Sequence, residues 1–339
     1  MKKYIILVSA ALAVFASCAK TGESGLNDNN KIFLDAWLKV NHPDARREAE
    51  GIYVLSETPG TGHAVGSAED NPYLYLNLTS TDLEGNVAKT SDIKLAQQIG
   101  TYKEHSYIGP SLYLRSDLTL EAGLEMMVSS MKVGGVKTAL VPGWLNKTGS
   151  RFKNEKGYMD NVSGTDAIYT IEVVDAFSDI TKWQIDSIET YIKRNYKQVP
   201  DSLKYGYYYI QTQAPTDTAS FSNTDKLKIN YSGKLLNGMV FDTTVEKVAK
   251  DGGIYNANKS YEPASVSFAA SYEDITLSVD GTDYSGTIDA FAYCLSHIKT
   301  GEKGICIFIS DLGYQGQSQG GIPAYSPLQF EIEMIGKTK

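Results

Sequence analysis

Residues 301–333 read GEKGICIFISDLGYQGQSQGGIPAYSPLQFEIE, and this stretch decides the fold. The apolar run at 305–309 predicts a buried strand, and the alternation of apolar and polar residues over 328–333 predicts a half-buried one. The polar loop between these strands carries one aromatic residue, Tyr314, and one apolar residue before a proline, Ile322. Loops held by a rigid sheet are where binding residues concentrate, so we expect this loop to form part of a site.

Four segments of the chain occur twice in similar form and in the same order. Each copy has a strand leading to a proline turn, a second strand followed by a glycine turn, a lysine-containing turn after a helical pattern, and a closing alternating strand. The pairs are 51–59 with 206–215, 73–79 with 227–233, 130–135 with 297–302, and 169–173 with 330–334. Such self-similarity predicts repeated modules. Strands with one helix in each copy predict two antiparallel domains of the α+β class.

The segments outside the two copies divide the rest of the chain. Residues 1–18 have the pattern of a targeting segment. Residues 19–49 are predicted to be a polar tether and a short helix, in which Ile32, Phe33, Trp37 and Val40 give the apolar spacing. Residues 178–204 are predicted to be a linker helix that stops before a proline. The two copies then occupy 50–177 and 205–339.

The targeting segment ends in a cysteine. Two lysines precede an apolar run over 4–15 that is too short to span a bilayer, and Ala16, Ser17 and Cys18 follow. This pattern resembles the lipobox of bacterial lipoproteins, which implies that Cys18 is lipidated and anchors a cell-envelope protein to a membrane, on its periplasmic or surface face. Ala19 favours the outer membrane, by resemblance to enterobacterial lipoproteins. An ordinary secretory signal with an incidental cysteine is the alternative.

Composition argues against several other functions. The 339-residue chain is 42 % hydrophobic, ordinary for a globular protein with a sizeable core, and its net charge is −8 without a basic cluster, which argues against nucleic acid as a partner. The four histidines are scattered and no Cys/His spacing suits zinc, so no metal site is predicted. Cys294 and Cys306 either form a disulfide, as exported pairs can, or are two buried thiols. Their apolar settings favour the thiols.

The second copy resembles the FKBP family of peptidyl-prolyl cis/trans isomerases. Residues 227–244, LKINYSGKLLNGMVFDTT, are close to the family pattern V-x-Y-x-G-x-L-x-x-G-x-x-F-D-S-S. Residues 288–334 are close to its helix, lysine–glycine turn, core strand, A-Y-G loop and closing strand. The resemblance implies two FKBP-like domains joined by a linker helix, each a twisted antiparallel sheet wrapped around a short helix. It also implies isomerisation of X-Pro bonds in proline-containing polypeptides, without a cofactor.

Carried over by position, the resemblance implies an apolar pocket between helix and sheet. Its catalytic residues would be Tyr231, Phe241, Asp242 and Tyr314, and its substrate-binding residues would be Ile288, Phe291, Ile322 and Phe330. The planar X-Pro amide is more charge-separated than the twisted one, so a dry aromatic pocket lowers a barrier of roughly 18–20 kcal/mol. The Tyr314 hydroxyl would donate to a substrate carbonyl, and Asp242 would polarise the site.

Some positions depart from the family pattern. Phe291 stands where tryptophan is usual, Gln315 replaces the usual glycine, and residues 269–287 are an insertion with a predicted hairpin turn at Asp280-Gly281 that lies against the pocket rim. The first copy lacks the pocket residues, because it has Leu78, Ala88, Lys89, Leu124 and approximately Lys147 at the corresponding positions. It is therefore predicted to be non-catalytic. The alternative function is a protein-binding or chaperone lipoprotein of the envelope without turnover.

Overall fold

The structure is a computed structural model that describes residues 25–115, 120–149, 151–197, 199–284 and 288–338. The predicted targeting segment, Cys18 and the start of the tether lie outside these residues. The helices are α1 (Asp28–Asn41), α2 (Ile93–Gln98), α3 (Ala122–Ser129), α4 (Glu155–Asn161), α5 (Ile180–Tyr196), α6 (Glu246–Asp251) and α7 (Asp289–His297). Single 3₁₀ turns cover Tyr272–Asp274 and Ser310–Leu312. Within these ranges no helix is long and apolar enough to cross a membrane.

The strands form two antiparallel sheets, so the predicted α+β class is confirmed. The first sheet defines the N-terminal module and has the order β1-β2-β6-β7-β3-β4, with β5 also paired to β3. Its strands are β1 (Arg46–Arg47), β2 (Tyr53–Thr58), β3 (Tyr73–Thr81), β4 (Val87–Thr90), β5 (Ser111–Leu114), β6 (Val136–Val141) and β7 (Ala167–Phe177).

The second sheet defines the C-terminal module and has the order β13-β12-β11-β9-β15-β14-β8, with β10 also paired to β9. Its strands are β8 (Tyr207–Gln213), β9 (Lys226–Leu235), β10 (Val240–Thr243), β11 (Ala264–Ser267), β12 (Thr276–Val279), β13 (Thr282–Tyr284), β14 (Lys303–Phe308) and β15 (Leu328–Lys337). The two sheets share one spatial order. Strands β2, β3, β4, β5, β6 and β7 of the first sheet correspond, in that sequence, to β8, β9, β10, β11, β14 and β15 of the second. The hairpin β12–β13 lies within the insertion, and its turn is at Asp280-Gly281 as predicted.

Each module buries one face of its sheet against a short helix. In β3 the alternation places Leu74, Leu76 and Leu78 inside, where they join the core that includes α3. In the C-terminal module Phe291 and Cys294 of α7 lie in the corresponding core, together with Cys306 of β14. Both cysteines are buried and unpaired, as the sequence favoured.

The helix α5 connects the modules and covers the outer face of the second sheet. Its residues Ile188 and Ile192 pack against Tyr208, Ile305 and Ile307. Two faces of β14 are therefore buried, one under α7 and one under α5, which explains why the sequence at 305–309 is a continuous apolar run.

The orientation of α1 differs from the predicted one. Leu34 and Leu38 are its buried residues, whereas Ile32, Phe33 and Val40 are exposed. The side chain of Asn27, at the start of the helix, donates to the carbonyl oxygens of Met159 and Val162 at 2.6 and 2.8 Å. Such long-range polar contacts set the rotation of the helix, and the apolar spacing alone did not predict them.

Candidate functional site

A cavity of about 310 Å³ lies between α7 and the second sheet. It brings together seven of the eight predicted pocket residues: Tyr231, Phe241, Asp242, Ile288, Phe291, Tyr314 and Phe330. An aromatic cluster is formed by Tyr231, Phe241, Phe291 and Phe330. In it the Phe330 ring centroid lies 4.8 Å from that of Phe291 and 5.6 Å from that of Phe241. Such concave, largely apolar sites with a few polar groups are typical of ligand pockets.

Ile322 is the predicted pocket residue that this cavity does not include. Its side chain is 4 % exposed and packs in the core of the C-terminal module. The structure adds three residues that sequence reasoning did not assign: Leu277, Tyr284 and Gln319 line the cavity. Leu277 and Tyr284 belong to the hairpin β12–β13, so the insertion forms part of the pocket wall. Its predicted position against the rim was the signal that pointed to them.

A β-bulge directs Phe241 into the cavity. Val240 pairs with Lys234 and Asp242 pairs with Gly233, so Phe241 is the extra residue between these two pairs. Bulges change the direction of a side chain and are frequent beside active sites. The approach is close, because a Cβ atom on Gly233 would lie 2.4 Å from the Phe241 ring and 2.9 Å from the Phe330 ring. Glycine at position 233 therefore leaves the space that these two rings occupy.

Two side chains hold the carboxylate of Asp242. The Tyr231 hydroxyl donates to Oδ2 at 2.5 Å, and the Lys259 ammonium group lies 2.9 Å from Oδ1. Burial, and then the charge of Asp242, raise the pKa of Tyr231 well above the ordinary value for tyrosine. The tyrosine therefore stays protonated and keeps donating. No sequence pattern pointed to Lys259, which lies in the irregular segment between α6 and β11.

The hydroxyl of Tyr314 is available to a ligand. The side chain is partly buried in the cavity wall, and the hydroxyl makes no hydrogen bond to any residue in the described ranges. Burial, and then the charge of Asp242, raise its pKa. Tyr314 is therefore a protonated donor at neutral pH, as the predicted role requires.

The loop that carries Tyr314, from Ser310 to Tyr325, is held at both ends by Gln184 of α5. Its side-chain amide donates to Ser310 Oγ and to the Tyr325 carbonyl, each at 3.0 Å, and its oxygen accepts from the Ser310 amide at 2.7 Å. Gln315 lies inside this loop with a φ of 53°, in the left-handed region. Glycine, which is usual at this position in the family, adopts this conformation without a steric cost. The linker helix thus holds the loop that carries Tyr314, although none of its residues lines the cavity.

Comparison with known proteins agrees with this geometry. Residues 218–335 match the sequence model of the FKBP-type peptidyl-prolyl cis-trans isomerases. This match lies within the C-terminal module and covers about a third of the chain. The predicted family and enzyme class are thereby confirmed. No curated protein matches the chain.

Several solved structures of FKBP proteins are similar to this chain at low identity. The three FKBP domains of wheat FKBP73 are 12 % identical over 85 % of this chain and 95 % of theirs, with a TM-score of 0.29. A peptidyl-prolyl isomerase of Pseudomonas syringae pv. tomato is 18 % identical over 48 % of this chain and 98 % of its own, with a TM-score of 0.32. FkpA of Escherichia coli is 21 % identical over 47 % and 59 %, with a TM-score of 0.31.

The N-terminal module lacks the pocket chemistry of the FKBP domain at equivalent positions. Leu78 pairs with Ile171 as Tyr231 pairs with Ile332, and Lys89 pairs with Ser80 as Asp242 pairs with Gly233. Ala88 occupies the same bulge that holds Phe241. The register therefore gives the same equivalences as the sequence alignment. The N-terminal module thus has Leu78 in place of Tyr231, Ala88 in place of Phe241 and Lys89 in place of Asp242.

Proposed function

We propose that the C-terminal cavity isomerises X-Pro bonds of exported polypeptides, and that a lipid on Cys18 anchors the protein to the cell envelope. The observation that carries the proposal is the aromatic cavity with Tyr314 at its wall, whose hydroxyl makes no hydrogen bond to the residues that the structure describes. A volume of about 310 Å³ suits a prolyl ring and its neighbouring peptide groups. The family match of the same module supports this assignment.

The proposed mechanism needs no nucleophile. Rotation about the X-Pro bond passes through a twisted amide that has lost its resonance and much of its charge separation. The rings of Phe241, Phe291 and Phe330 provide low-polarity walls that favour this twisted state over the planar one. Tyr314 donates a hydrogen bond that fixes a substrate carbonyl. Only interactions stronger in the twisted state accelerate the reaction.

The location rests on the segment before the described residues. Helix α1 begins at Asp28, ten residues after Cys18, so a lipidated Cys18 would hold the N-terminal module close to the membrane surface. Stable anchoring takes more than one acyl chain. A Cys18→Ala variant should move the protein from the membrane fraction to the soluble fraction. Retention of that variant in membranes would contradict lipid anchoring.

The activity is tested with the full chain in detergent and a tetrapeptide that contains one X-Pro bond. Wild type should accelerate cis-to-trans relaxation, and Phe241→Ala combined with Asp242→Ala should lower kcat/KM at least tenfold. The matched control is Phe221→Ala, because Phe221 packs against Phe268 in the same module but does not line the cavity. An inactive wild type would refute the proposal.

A second candidate function is protein binding without turnover. One observation favours binding without turnover. Tyr231 and Lys259 already contact the two carboxylate oxygens of Asp242. Suppression of client aggregation that survives Phe241→Ala would support this function. If Phe241→Ala abolishes both aggregation suppression and isomerase activity, the catalytic function is favoured.

A further inference from the structure

We propose that an extended segment of the polypeptide substrate adds as a strand to the edge of β5 at Leu112, in the N-terminal module, while its proline lies in the C-terminal cavity. This inference rests on the proposed function, because it assigns a second subsite to the same substrate. It also gives the N-terminal module a role that does not need the aromatic pocket it lacks.

A groove of about 570 Å³ separates the two modules beside the cavity. One wall is the edge of the first sheet, formed by β5 and Lys89 of β4, and the other is the loop from Gly316 to Tyr325. Tyr107, Tyr113, Pro323 and Ala324 give this groove an aromatic and aliphatic part beside polar residues that include Ser318 and Gln319. Lys89 is the charged residue of the lining, and its ammonium group donates to the Tyr113 hydroxyl at 3.1 Å.

The groove and the cavity share one wall. Gln319 lines both of them, at the base of a tight turn in which its amide and carbonyl pair with those of Ile322. Gly320 and Gly321 form the tip of this turn with φ values of 54 and 87. A Cβ atom on Gly321 would lie 3.8 Å from the carbonyl oxygen of His105, so the tip approaches the N-terminal module. A chain that leaves the cavity past Gln319 therefore enters the groove directly.

The edge of β5 has backbone groups for a further strand. The Arg115 amide donates to the Pro72 carbonyl, and the register then directs the backbone groups of Ser111 and Tyr113 towards β3. Those of Leu112 point away from β3, and neither its amide nor its carbonyl has a hydrogen-bond partner among the residues that the structure covers. Edge strands of this kind bind extended peptides by strand addition.

The C-terminal module has a strand at the position that corresponds to the outer side of Leu112. Ser265 of β11 is equivalent to Leu112, because Ala264 pairs with Ile229 as Ser111 pairs with Leu76. In the C-terminal module Ser265 pairs on its outer side with Ser278 of β12. In the N-terminal module the described residues provide no strand beyond β5, and the groove occupies that place. The substrate strand would take the position of β12.

Recognition through the backbone would tolerate many sequences. Main-chain hydrogen bonds supply the affinity in strand addition, and alternate side chains supply the selectivity. The aromatic lining favours apolar side chains on one face of the bound strand, and Lys89 favours an acidic residue near the groove. The expected substrate class is thus unfolded polypeptide with apolar residues near a proline.

The test compares two peptides that share one X-Pro bond, a tetrapeptide and a longer peptide extended by six residues on each side. Binding is measured by fluorescence anisotropy and turnover by kcat/KM, with the full chain in detergent. Wild type should bind the long peptide at least tenfold more tightly than the tetrapeptide. Ser111→Trp, which fills the groove, should remove this difference and leave turnover of the tetrapeptide within about twofold of wild type.

Three controls make the result specific. Ser56→Trp, the same substitution at an exposed site on β2 of the same sheet, should keep the length dependence. Ala324→Trp fills the groove from its other wall and should remove the length dependence of binding. N-methylation of alternate amides in the extension of the long peptide should weaken its binding, because strand addition needs these donors.

Equal binding of the two peptides by wild type would overturn the inference, as would a Ser111→Trp variant that keeps the length dependence. A dimer that Ser111→Trp abolishes and Ser56→Trp preserves would assign the β5 edge to a second copy of this chain instead. Absence of turnover with preserved length-dependent binding would refute the isomerase proposal alone. Turnover of the tetrapeptide without length dependence would refute the strand-addition proposal alone.

Discussion

The ammonium group of Lys259 lies 2.9 Å from Oδ1 of Asp242, on the wall of the aromatic cavity. Since the Tyr231 hydroxyl donates to the other carboxylate oxygen, the orientation of Asp242 is fixed from two sides. The side chain of Asp242 is still 44 % exposed, so it remains in contact with solvent and with an entering peptide. Asp242 is thus held in place before a substrate arrives.

Replacement of Lys259 should weaken activity moderately. We expect Lys259→Gln to lower kcat/KM about two- to fivefold, because a partly exposed ion pair contributes up to about 1 kcal/mol and Tyr231 still holds the carboxylate. The measurement is tetrapeptide isomerisation at low and high salt, and salt should reduce the difference between the proteins. Lys247→Gln is the control, since Lys247 forms an exposed pair with Asp251. An unchanged rate in Lys259→Gln would show that the lysine does not position Asp242.

Gln184 should stabilise the loop that carries Tyr314. Gln184→Leu leaves the buried amide of Ser310 without its acceptor, and a buried unsatisfied donor costs about 1–3 kcal/mol. We therefore expect a lower free energy of unfolding for the C-terminal module in urea and a raised KM for the tetrapeptide.

The control for Gln184 is Thr190→Ala, an exposed position on the same helix. This variant should leave both the stability and the KM near their wild-type values. If Gln184→Leu lowers the stability but leaves the KM unchanged, the contact is structural and does not set the loop conformation.

The repeat explains why so much of the fold could be predicted from the sequence. The alternation over 73–79 and the continuous apolar run at 305–309 record how many faces of each strand are buried, so they predicted the sheets. The spacing between Tyr231, Phe241 and Asp242 reflects strand register, which local sequence specifies. These residues accordingly meet in one cavity.

The features that sequence reasoning missed depend on contacts between distant segments. Gln184 lies 126 residues from Ser310, and its neighbours on α5 give no sign that a polar side chain is buried. Lys259 reaches Asp242 from an irregular segment that has no period. The same limit applies to α1, whose apolar spacing fits two rotations and whose actual rotation follows the contacts of Asn27.

Gly233 should be required for the position of the two rings beside it. Gly233→Ala would bring a methyl group within 2.4 Å of Phe241 and 2.9 Å of Phe330, so the rings must move. We expect a loss of about 1–3 kcal/mol in unfolding free energy and a fall in kcat/KM, because overpacking is destabilising. The N-terminal module tolerates Ser80 at the equivalent position, where Ala88 replaces the ring.

A double-mutant cycle separates this clash from a backbone effect. Phe241→Ala removes the nearer ring, so Gly233→Ala should destabilise the Phe241→Ala background less than it destabilises the wild type. Equal costs in both backgrounds would mean that the backbone, and not the ring, requires glycine.

Alkaline pH should destabilise the C-terminal module partly through Tyr231. Burial raises the folded-state pKa of Tyr231 above its ordinary value of about 10, so the unfolded chain loses this proton first. The stabilisation that the protonated Tyr231 hydroxyl contributes is therefore complete below about pH 10, and it is lost as the pH rises towards the folded-state pKa. Tyr231→Phe has no proton to lose, and its unfolding free energy should fall less steeply above pH 10, by up to about 1.4 kcal/mol per pH unit.

The measurement is urea unfolding from pH 8 to 11, with Tyr205→Phe as the control because the side chain of Tyr205 is 73 % exposed. At pH 8 the Tyr231→Phe variant should be less stable than wild type, since it lacks the hydrogen bond to Asp242, and hydrogen bonds to charged groups contribute about 1.5–3 kcal/mol. The two stability curves should then approach each other as the pH rises. Parallel curves over this range would mean that the Tyr231 hydroxyl has the same pKa in the folded and unfolded states, and that its buried bond to Asp242 does not persist in solution.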